Sequence, residues 1–376
     1  MAGPHKGSRF EDEKKQAEFS RDEPVTCGDI AVAGHRAGLT CRPGRFSGVT
    51  KRLAIVGLGG WASSMHLPVC RRLQEEGRAR YCGLCDRDEA KSQSAAASLG
   101  GKPYADLGEM LTAEKPDGLI ILVKPDDTPH LIQKAIEIRI PFLTEKPPST
   151  SVVVHRRLME QAGELPHVIA YNRRFTPYAA KAREWLAGQP LQSVEASMCR
   201  FRRREPDFTD TAVHTIDAAL FLAGSRVVEA RVEAVRKDAI LNLFLTAWTA
   251  GNCHIQLAIT PDSGSTEEEY AVRATARSAR IAHPLQGVDA GRVRLFEENK
   301  LRHDLSARDL GMAENDWPAL SGILAEHQNF IELLEGTRPS LATLRDTLNT
   351  QILREAFGGF LAEPADRPRH VREMIL

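Results

Sequence analysis

The chain lacks an excess of charge of either sign and lacks any long apolar run. Its 376 residues carry 50 Lys plus Arg and 50 Asp plus Glu, so its formal net charge is zero. A neutral chain has no general attraction for nucleic acid or for a membrane surface. No apolar run approaches the roughly 20 residues that a membrane-spanning helix needs. We therefore expect a globular protein, long enough for two domains, whose partners include neither nucleic acid nor membrane.

The sequence also lacks a second cysteine pair. Cys82 and Cys85 form a single C-x-x-C, but they lie in an apolar stretch that ends at Asp86 and is typical of a buried strand, not of a redox helix. With no second pair there is no cysteine zinc site, and we predict no metal site. The seven cysteines are scattered, odd in number and follow no secretory stretch. We expect reduced thiols and a cytoplasmic location.

The order of predicted elements divides the chain into three parts. Residues 1–50 have no sustained hydrophobic period and are expected to be a disordered or non-core extension. Residues 51–172 alternate strands with helices, which indicates βαβ units and a parallel sheet. Here the predicted strands are 52–57, one ending at residue 86, 118–123, 141–144 and 168–170, and the predicted helices after the first are 89–99, 107–111, 130–139 and 152–163.

Residues 173–376 carry a different pattern, in which strand-like stretches follow one another across short turns. This pattern predicts an α+β domain with an antiparallel or mixed sheet. The predicted strands are 191–204, 227–235, 240–248, 253–260, 270–276 and 293–296, and the predicted helices are 177–186, 211–222, 319–334 and 341–357. The predicted fold class is therefore α/β, with an N-terminal Rossmann domain and a C-terminal α+β domain.

A glycine-rich turn follows the first predicted strand and opens a helix. Gly57, Gly59 and Ala62 form a G-x-G-x-x-A pattern in the context that dinucleotide binding requires. The glycines allow a tight turn and a close approach to a pyrophosphate, while alanine keeps the helix near the strand. Asp86 stands where an acid can bond the ribose 2′-hydroxyl of NAD. Arg87 can instead accept a 2′-phosphate, so either NAD or NADP is expected, with NAD favoured.

Lys146 follows a strand of the same predicted sheet. Ligands of parallel-sheet proteins bind beyond the carboxyl ends of the strands, so this lysine is placed to enter the cleft. There it can hydrogen-bond a substrate hydroxyl and stabilise the alkoxide that forms as hydride leaves. A solvated lysine at a strand end explains the position equally well.

An acid and a histidine share one face of a predicted helix. Asp210 and His214 are four residues apart and can meet, and Asp217 lies near that face. Histidine suits proton transfer near neutral pH, and a nearby carboxylate is expected to raise its pKa and orient its ring. The alternative is a helix with a capping acid and a solvated histidine.

Together these residues resemble the Gfo/Idh/MocA family, named for glucose–fructose oxidoreductase and inositol dehydrogenase. The resemblance begins near Leu53 and runs almost to the C-terminus. The stretches that carry it are 57–62 with 66–68, 116–117, 125–130, 145–147, 172–175, 210–217, and 326–330 continuing through 339. Of these, the Glu-Lys-Pro at 145–147 is the most specific.

The resemblance implies a catalytic group of Lys146, Asp210 and His214. It also implies an open C-terminal sheet used for a homo-oligomer, a dimer or tetramer, and polyol, cyclitol, sugar or nucleotide-sugar substrates. The cofactor-binding candidates are Gly57, Gly59, Gly60, Trp61, Ala62, Asp86, Arg87, Pro125, Glu145 and Lys146.

Two stretches depart from the family pattern. Residues 124–127 add charge where the nicotinamide is expected, and Arg202, Arg203 and Arg204 replace a glycine-rich lead-in. These arginines can meet a carboxylate or phosphate of the substrate, or simply lie solvated at a strand end. The function expected is a dehydrogenase or reductase dependent on NAD(P). The alternatives are a non-redox NAD(P)-binding sensor and a lyase-like or glycosidase-like enzyme that reduces and reoxidises bound NAD within each cycle.

Overall fold

The computed structural model of the chain describes residues 50–204, 208–237, 240–362 and 369–376. The extension expected over residues 1–50 lies outside these ranges, apart from Thr50. Within the described residues, no helix combines the length and the apolar character that crossing a membrane requires.

The first sheet is parallel throughout. Its strands are β1 Lys51–Val56, β2 Ala79–Cys85, β3 Lys102–Tyr104, β4 Gly118–Ile121, β5 Phe142–Thr144 and β6 His167–Ile169. They lie in the order β3-β2-β1-β4-β5-β6, the strand order of a Rossmann fold. The central strands β1 and β4 are apolar because helices cover both of their faces. The predicted Rossmann sheet is therefore confirmed.

Five helices connect these strands. They are α1 Leu67–Glu75, α2 Glu89–Leu99, α3 Leu107–Glu114, α4 Thr128–Glu137 and α5 Val152–Ala162. Three of them begin at a side-chain cap, because the carboxylates of Asp88 and Asp106 and the hydroxyl of Ser151 accept a backbone N–H of the first turn. A π-helical turn, Ala62–His66, precedes α1 and follows the glycine-rich turn.

The second sheet is large and mostly antiparallel. Helices α6 Pro177–Leu186 and α7 Thr209–Ala223 precede or interrupt it. Its strands are β7 Leu191–Phe201, β8 Val227–Lys237, β9 Ile240–Thr249, β10 His254–Ser263, β11 Glu267–Ala274, β12 Arg277–Ala282, β13 Arg292–Glu297, β14 Lys300–Ser306 and β15 Arg369–Ile375. Their order is β14-β13-β12-β11-β7-β10-β9-β8-β15, and β7 and β10 pair in parallel. The predicted fold class is confirmed.

Strands β3, β12, β14 and β15 were not among the elements predicted from the sequence. β14 is a sheet edge whose first five residues are all exposed, so it has no apolar alternation to detect. β3 has three residues, too few to show a period.

The last two predicted helices differ from the structure mainly in where they begin. The helix expected over 319–334 is divided into α8 Trp317–Leu320 and α9 Ile323–Leu334. Gly322 separates them, because its φ of +89° is a left-handed conformation that favours glycine. The helix expected over 341–357 begins only at Leu348 as α10 Leu348–Gly358. Before it, Asp346 accepts hydrogen bonds from the N–H and hydroxyl of Thr343 in a turn.

Helix α9 packs on the first sheet, although the sequence analysis assigned all of residues 173–376 to the second domain. Phe330 and Ile331 belong to the hydrophobic core of the parallel sheet. A Cβ added at Gly118 would lie 2.8 Å from Cζ of Phe330, so the ring lies directly on the backbone of β4. The chain therefore returns to the first sheet, which the linear order of elements does not reveal.

A buried ion pair fixes the crossover between the two sheets. Arg174, in the 3-10 turn Asn172–Phe175, donates two hydrogen bonds of 2.7 Å to the carboxylate of Asp217 on α7. The hydroxyl of Thr350 on α10 donates to the same carboxylate at 2.9 Å. Asp217 is completely buried, and its partners Arg174 and Thr350 show that it holds α7 and α10 against the crossover.

Candidate active site and cofactor cleft

The glycine-rich turn leaves backbone open at the carboxyl end of β1. Gly57 has a φ of +89°, and a Cβ there would lie 2.7 Å from the backbone of Leu122, so only glycine fits. A Cβ at Gly59 or Gly60 would meet nothing within 4 Å, which leaves room for a ligand against the chain. Ala62 is buried beneath the helix start, as its predicted packing role requires.

A groove of about 880 Å³ extends from this turn along the ends of the central strands. Gly57, Gly59, Asp86 and Arg87 line it. The carboxylate of Asp86 accepts the N–H of Leu58 at 2.8 Å and that of Asp88 at 2.9 Å, so its charge is fixed at the groove wall. A carboxylate has about four acceptor positions, and those not used by the backbone remain available for ribose hydroxyls. The turn and the groove fit a dinucleotide.

Glu145 is held on both of its oxygens. Its Oε1 accepts from Trp61 Nε1 at 2.9 Å and lies 2.8 Å from His66 Nε2, and its Oε2 accepts the N–H of Lys146 at 3.1 Å. Burial raises the pKa of Glu145, but the hydrogen bond to His66 and the charge of Lys146 lower it by more, so its pKa is below the usual value. Glu145 is thus a carboxylate that positions Trp61 and the turn bearing Lys146.

Lys146 reaches from the end of β5 to the first turn of α7. Its Nζ donates a 2.9 Å hydrogen bond to the backbone oxygen of Asp210. Burial lowers the pKa of Lys146. The negative charges of Glu145 and Asp210 raise this pKa, and the positive charges of Arg173 and Arg354 lower it, so that the net shift is downward. An ammonium group has three donors, so two remain for a ligand.

His214 lies one turn further along α7. Burial lowers its pKa well below the usual 6.5, and the charges of Arg173 and Lys146 lower it further. Its Nδ1 has no hydrogen-bond partner among the described residues. The expectation that a carboxylate would raise its pKa is wrong, because burial and two cations dominate the ring's surroundings. The imidazole is neutral near pH 7 and offers a lone pair for a proton.

Asp210 pairs with a residue that the sequence analysis missed. Its Oδ1 accepts from Nη2 of Arg354, on α10, whose side chain is 11% exposed. Arg354 and Asp210 also line a cavity of about 580 Å³ together with Lys124, Pro125 and Asp126. Arg354 lies 144 residues after Asp210, and no local pattern marks an arginine in a C-terminal helix as part of a site.

Glu268 is the centre of a buried cluster of charged and polar side chains near α7. Glu268 accepts from Arg173 at 2.7 and 3.0 Å, from Arg200 at 2.6 Å and from the hydroxyl of Tyr270. The two guanidinium groups hold the pKa of Glu268 well below its usual value although burial raises it. Arg173 thereby keeps a fixed positive charge near His214.

The three consecutive arginines have partners within the second domain. Arg204 donates to Asp262 at 2.7 Å, and the guanidinium groups of Arg202 and Arg203 lie over the rings of Phe201 and Phe208. Residues 205–207, which complete the lead-in, are outside the described ranges. These contacts show arginines packed on aromatic rings, and a substrate anion is not needed to account for them.

The six-stranded parallel sheet and its open glycine turn form the architecture of a dinucleotide-binding domain. Lys146, at the end of a strand of that sheet, meets helix α7, which lies beside the large second sheet. Residues 51–172 match the family model described as "Oxidoreductase family, NAD-binding Rossmann fold", that of the Gfo/Idh/MocA proteins. This match covers the nucleotide-binding part of the chain and supports the resemblance to the Gfo/Idh/MocA oxidoreductases that the sequence motifs implied.

Among known proteins, an inositol 2-dehydrogenase of Corynebacterium glutamicum is 26% identical over 203 residues. The match covers 50% of this chain and 59% of that protein, so the chain spans less than two thirds of its curated relative. An Agrobacterium radiobacter oxidoreductase, solved in complex with NAD+, L-tartaric acid and magnesium, has a TM-score of 0.69 at 18% identity, covering 86% of this chain and 98% of its own. A UDP-N-acetylglucosamine 3-dehydrogenase of Acidithiobacillus ferrooxidans gives 0.66 at 17%, covering 81% and 96%. At these identities the two solved structures establish the fold.

Proposed function

We propose that the chain is a dehydrogenase or reductase that acts on a secondary alcohol or ketone of a sugar, cyclitol or nucleotide-sugar. The inositol 2-dehydrogenase relative supports this substrate class, and so does the fold shared with a nucleotide-sugar dehydrogenase. The observation that carries the proposal is the 2.9 Å hydrogen bond from Lys146 Nζ to the backbone oxygen of Asp210. It brings a cation from the first sheet onto the helix that bears His214.

The chain's own residues would handle the proton of the reaction. When bound, the nicotinamide cofactor would accept the hydride in oxidation or donate it in reduction. As an alcohol is oxidised, neutral His214 takes the hydroxyl proton, and the ammonium of Lys146 donates to the same oxygen and stabilises its developing charge. Asp210, held by Arg354, fixes the start of α7 beside both groups. In reduction the same residues act in reverse.

The direct test is binding followed by turnover. A thermal-shift screen with NAD, NADH, NADP and NADPH identifies the cofactor, because a ligand that binds only the native state raises Tm. Absorbance of the reduced nicotinamide then reports turnover with a panel of cyclitols, sugars, sugar acids and nucleotide-sugars. Cofactor binding without oxidation or reduction of any panel member would favour a sensor, and cofactor that co-purifies and never exchanges would favour internal redox cycling.

We propose NAD as the preferred cofactor. The carboxylate of Asp86 is fixed at the groove wall by two backbone N–H groups, and a 2′-phosphate there would meet a like charge. Arg87 is occupied by Asp127 at 3.2 Å and its side chain is 89% exposed, so it compensates weakly. The Asp86→Asn variant keeps an acceptor oxygen but removes the charge.

We expect Asp86→Asn to lower the preference for NAD over NADP by about tenfold or more, which corresponds to about 1.4 kcal/mol. Titration calorimetry with both cofactors measures the ratio of the two Kd values. The control is Asp88→Asn, which removes a charge two residues away but retains an oxygen to cap α2. Equal shifts in the two variants would contradict a specific role for Asp86.

The pKa shifts of the two proton-handling residues predict the pH profile of kcat/KM for alcohol oxidation. His214 must be neutral to accept a proton, and its pKa lies well below 6.5, so the acid limb should fall below pH 6.5. Lys146 must be charged to donate, and its pKa lies below 10.5, so activity should be lost as pH rises through a value below 10.5. The Lys146→Arg variant should move the alkaline limb upward, because a guanidinium stays charged. An alkaline limb that does not move would exclude Lys146 as its source.

Three further assignments remain our proposals: a homo-oligomer, the domains 51–172 and 173–376, and a cytoplasmic location. As for the domains, a boundary at residue 172 separates the two sheets, but it does not separate the two hydrophobic cores, because α9 packs in the core of the first sheet. For the third, the described cysteines are free thiols, as a reducing compartment would leave them.

A further inference from the structure

Two histidines and a glutamate meet beneath the turn that carries Lys146. His66 ends the π-helical turn before α1, and Glu326 and His327 lie in the first turns of α9. Nδ1 of His66 is 2.9 Å from Nε2 of His327, and one side-chain ligand atom from each of the three residues lies within 4.8 Å of the others. All three side chains are completely or almost completely buried.

The carboxylate of Glu326 is the anomaly in this cluster. Neither Oε1 nor Oε2 has a hydrogen-bond partner in the part of the chain that the structure describes. A bare buried carboxylate is strongly unfavourable, so it must be neutralised by a proton or by a cation. Burial raises its pKa, and the charge of Glu145 raises it further. A single proton would neutralise Glu326, and an N–H···N hydrogen bond accounts for the 2.9 Å separation of the two imidazoles. A divalent cation between the three groups would instead bind both imidazoles and neutralise the carboxylate at once, with the carboxylate as its anionic ligand.

The donor set has the composition of a transition-metal site. Two imidazoles and one carboxylate are the protein ligands of several zinc centres, whereas magnesium and calcium prefer oxygen ligands. His66 also has an outer partner, since its Nε2 lies 2.8 Å from Glu145 Oε1. A carboxylate on the second nitrogen of a histidine orients the ring and increases its basicity toward a metal.

We propose that His66, Glu326 and His327 bind one divalent transition-metal ion of the zinc class, at a site that the sequence analysis did not anticipate. In a tetrahedron with bonds of roughly 2.0–2.2 Å, the ligand atoms lie about 3.3–3.6 Å apart. The two nitrogens, now 2.9 Å apart, therefore have to separate slightly, and an oxygen of Glu326 has to approach them from within 4.8 Å. Rotation of the Glu326 side chain can supply most of this movement. The ion would join α9 to the start of α1 and, through His66, to Glu145. Its role is structural, and it does not depend on the proposed dehydrogenase activity.

The test uses the full, untagged chain after exhaustive dialysis against a chelator. Titration calorimetry with Zn²⁺ should give one saturable site per chain, Zn²⁺ should raise Tm, and Co²⁺ should develop the visible absorption of a tetrahedral site. The variant Glu326→Gln keeps the shape of the side chain but removes the anionic ligand. It should weaken Zn²⁺ binding more than about 100-fold, beyond the 10–100-fold typical of losing an outer partner.

A matched control lies on the same helix. Glu332→Gln alters a partly exposed carboxylate of α9 that pairs with Arg338, and it should leave Zn²⁺ binding unchanged. His327→Gln, folded as judged by circular dichroism, should lose the Co²⁺ spectrum. The proposal is overturned if the wild-type chain binds no stoichiometric Zn²⁺, or if Glu326→Gln binds it as tightly as the wild type. In either case, a proton neutralises Glu326.

Discussion

Replacement of His214 by alanine is expected to lower kcat by at least about 10²-fold while leaving cofactor binding intact. General acid–base catalysis contributes about 10²–10⁴-fold, and His214 is a neutral imidazole one turn along α7 from the residue that Lys146 contacts. The measurement is steady-state turnover with the substrate found in the panel, together with calorimetric binding of the cofactor. Because the substitution leaves space, added imidazole should restore part of the rate.

The control for this variant is His303→Ala, which removes an exposed histidine from β14. It should have wild-type kcat and KM. Unchanged turnover in His214→Ala would remove this residue from the proton transfer. A loss of turnover accompanied by weaker cofactor binding would instead point to a displaced α7.

The second large effect is expected from breaking the buried pair between Arg174 and Asp217. Arg174→Met removes two of the hydrogen bonds to the completely buried carboxylate of Asp217. Of its present side-chain donors, only the hydroxyl of Thr350 remains. Removing one partner of such a pair costs about 3–5 kcal/mol of unfolding free energy, because the remaining charge is uncompensated. The backbone oxygens of Leu341 and Asp346 also lose a donor. Urea unfolding followed by circular dichroism measures the change.

Two further variants separate the buried charge from general damage. Arg174→Met combined with Asp217→Leu removes both charges and should recover a large part of the lost free energy. Lys181→Met breaks an exposed pair with Glu184 on α6 and should change stability by less than about 1 kcal/mol. A double variant no more stable than Arg174→Met would show that shape, not charge, limits stability here.

Elements with a strong local signal were predictable from the sequence. Helices α2 and α6 begin and end at the predicted residues, because an acid caps the first and a threonine with a following proline caps the second. In the same way, the apolar run of β1 predicts a strand, and the glycines directly after it predict a turn. Each of these signals is contained within a few consecutive residues.

Features that join distant parts of the chain were not predictable. The pairing of Asp210 with Arg354, the burial of Asp217 against Arg174 and the cluster of His66 with His327 depend on tertiary contacts. The spacing on the helix predicted that the carboxylate of Asp210 would interact with His214. In the structure this carboxylate instead pairs with the guanidinium group of Arg354. The low pKa of His214 has the same origin, because its surroundings come from four separate segments.

The return of α9 to the parallel sheet has a consequence for how this chain can be divided. A fragment that stops at residue 172 would contain all six strands of the cofactor-binding sheet, yet the backbone of Gly118 would face water where the ring of Phe330 now lies. Such a fragment would expose a sticky apolar strip and aggregate. A chimera that combines the first sheet of this chain with the second sheet of a relative therefore has to keep residues 317–344 together with the first sheet.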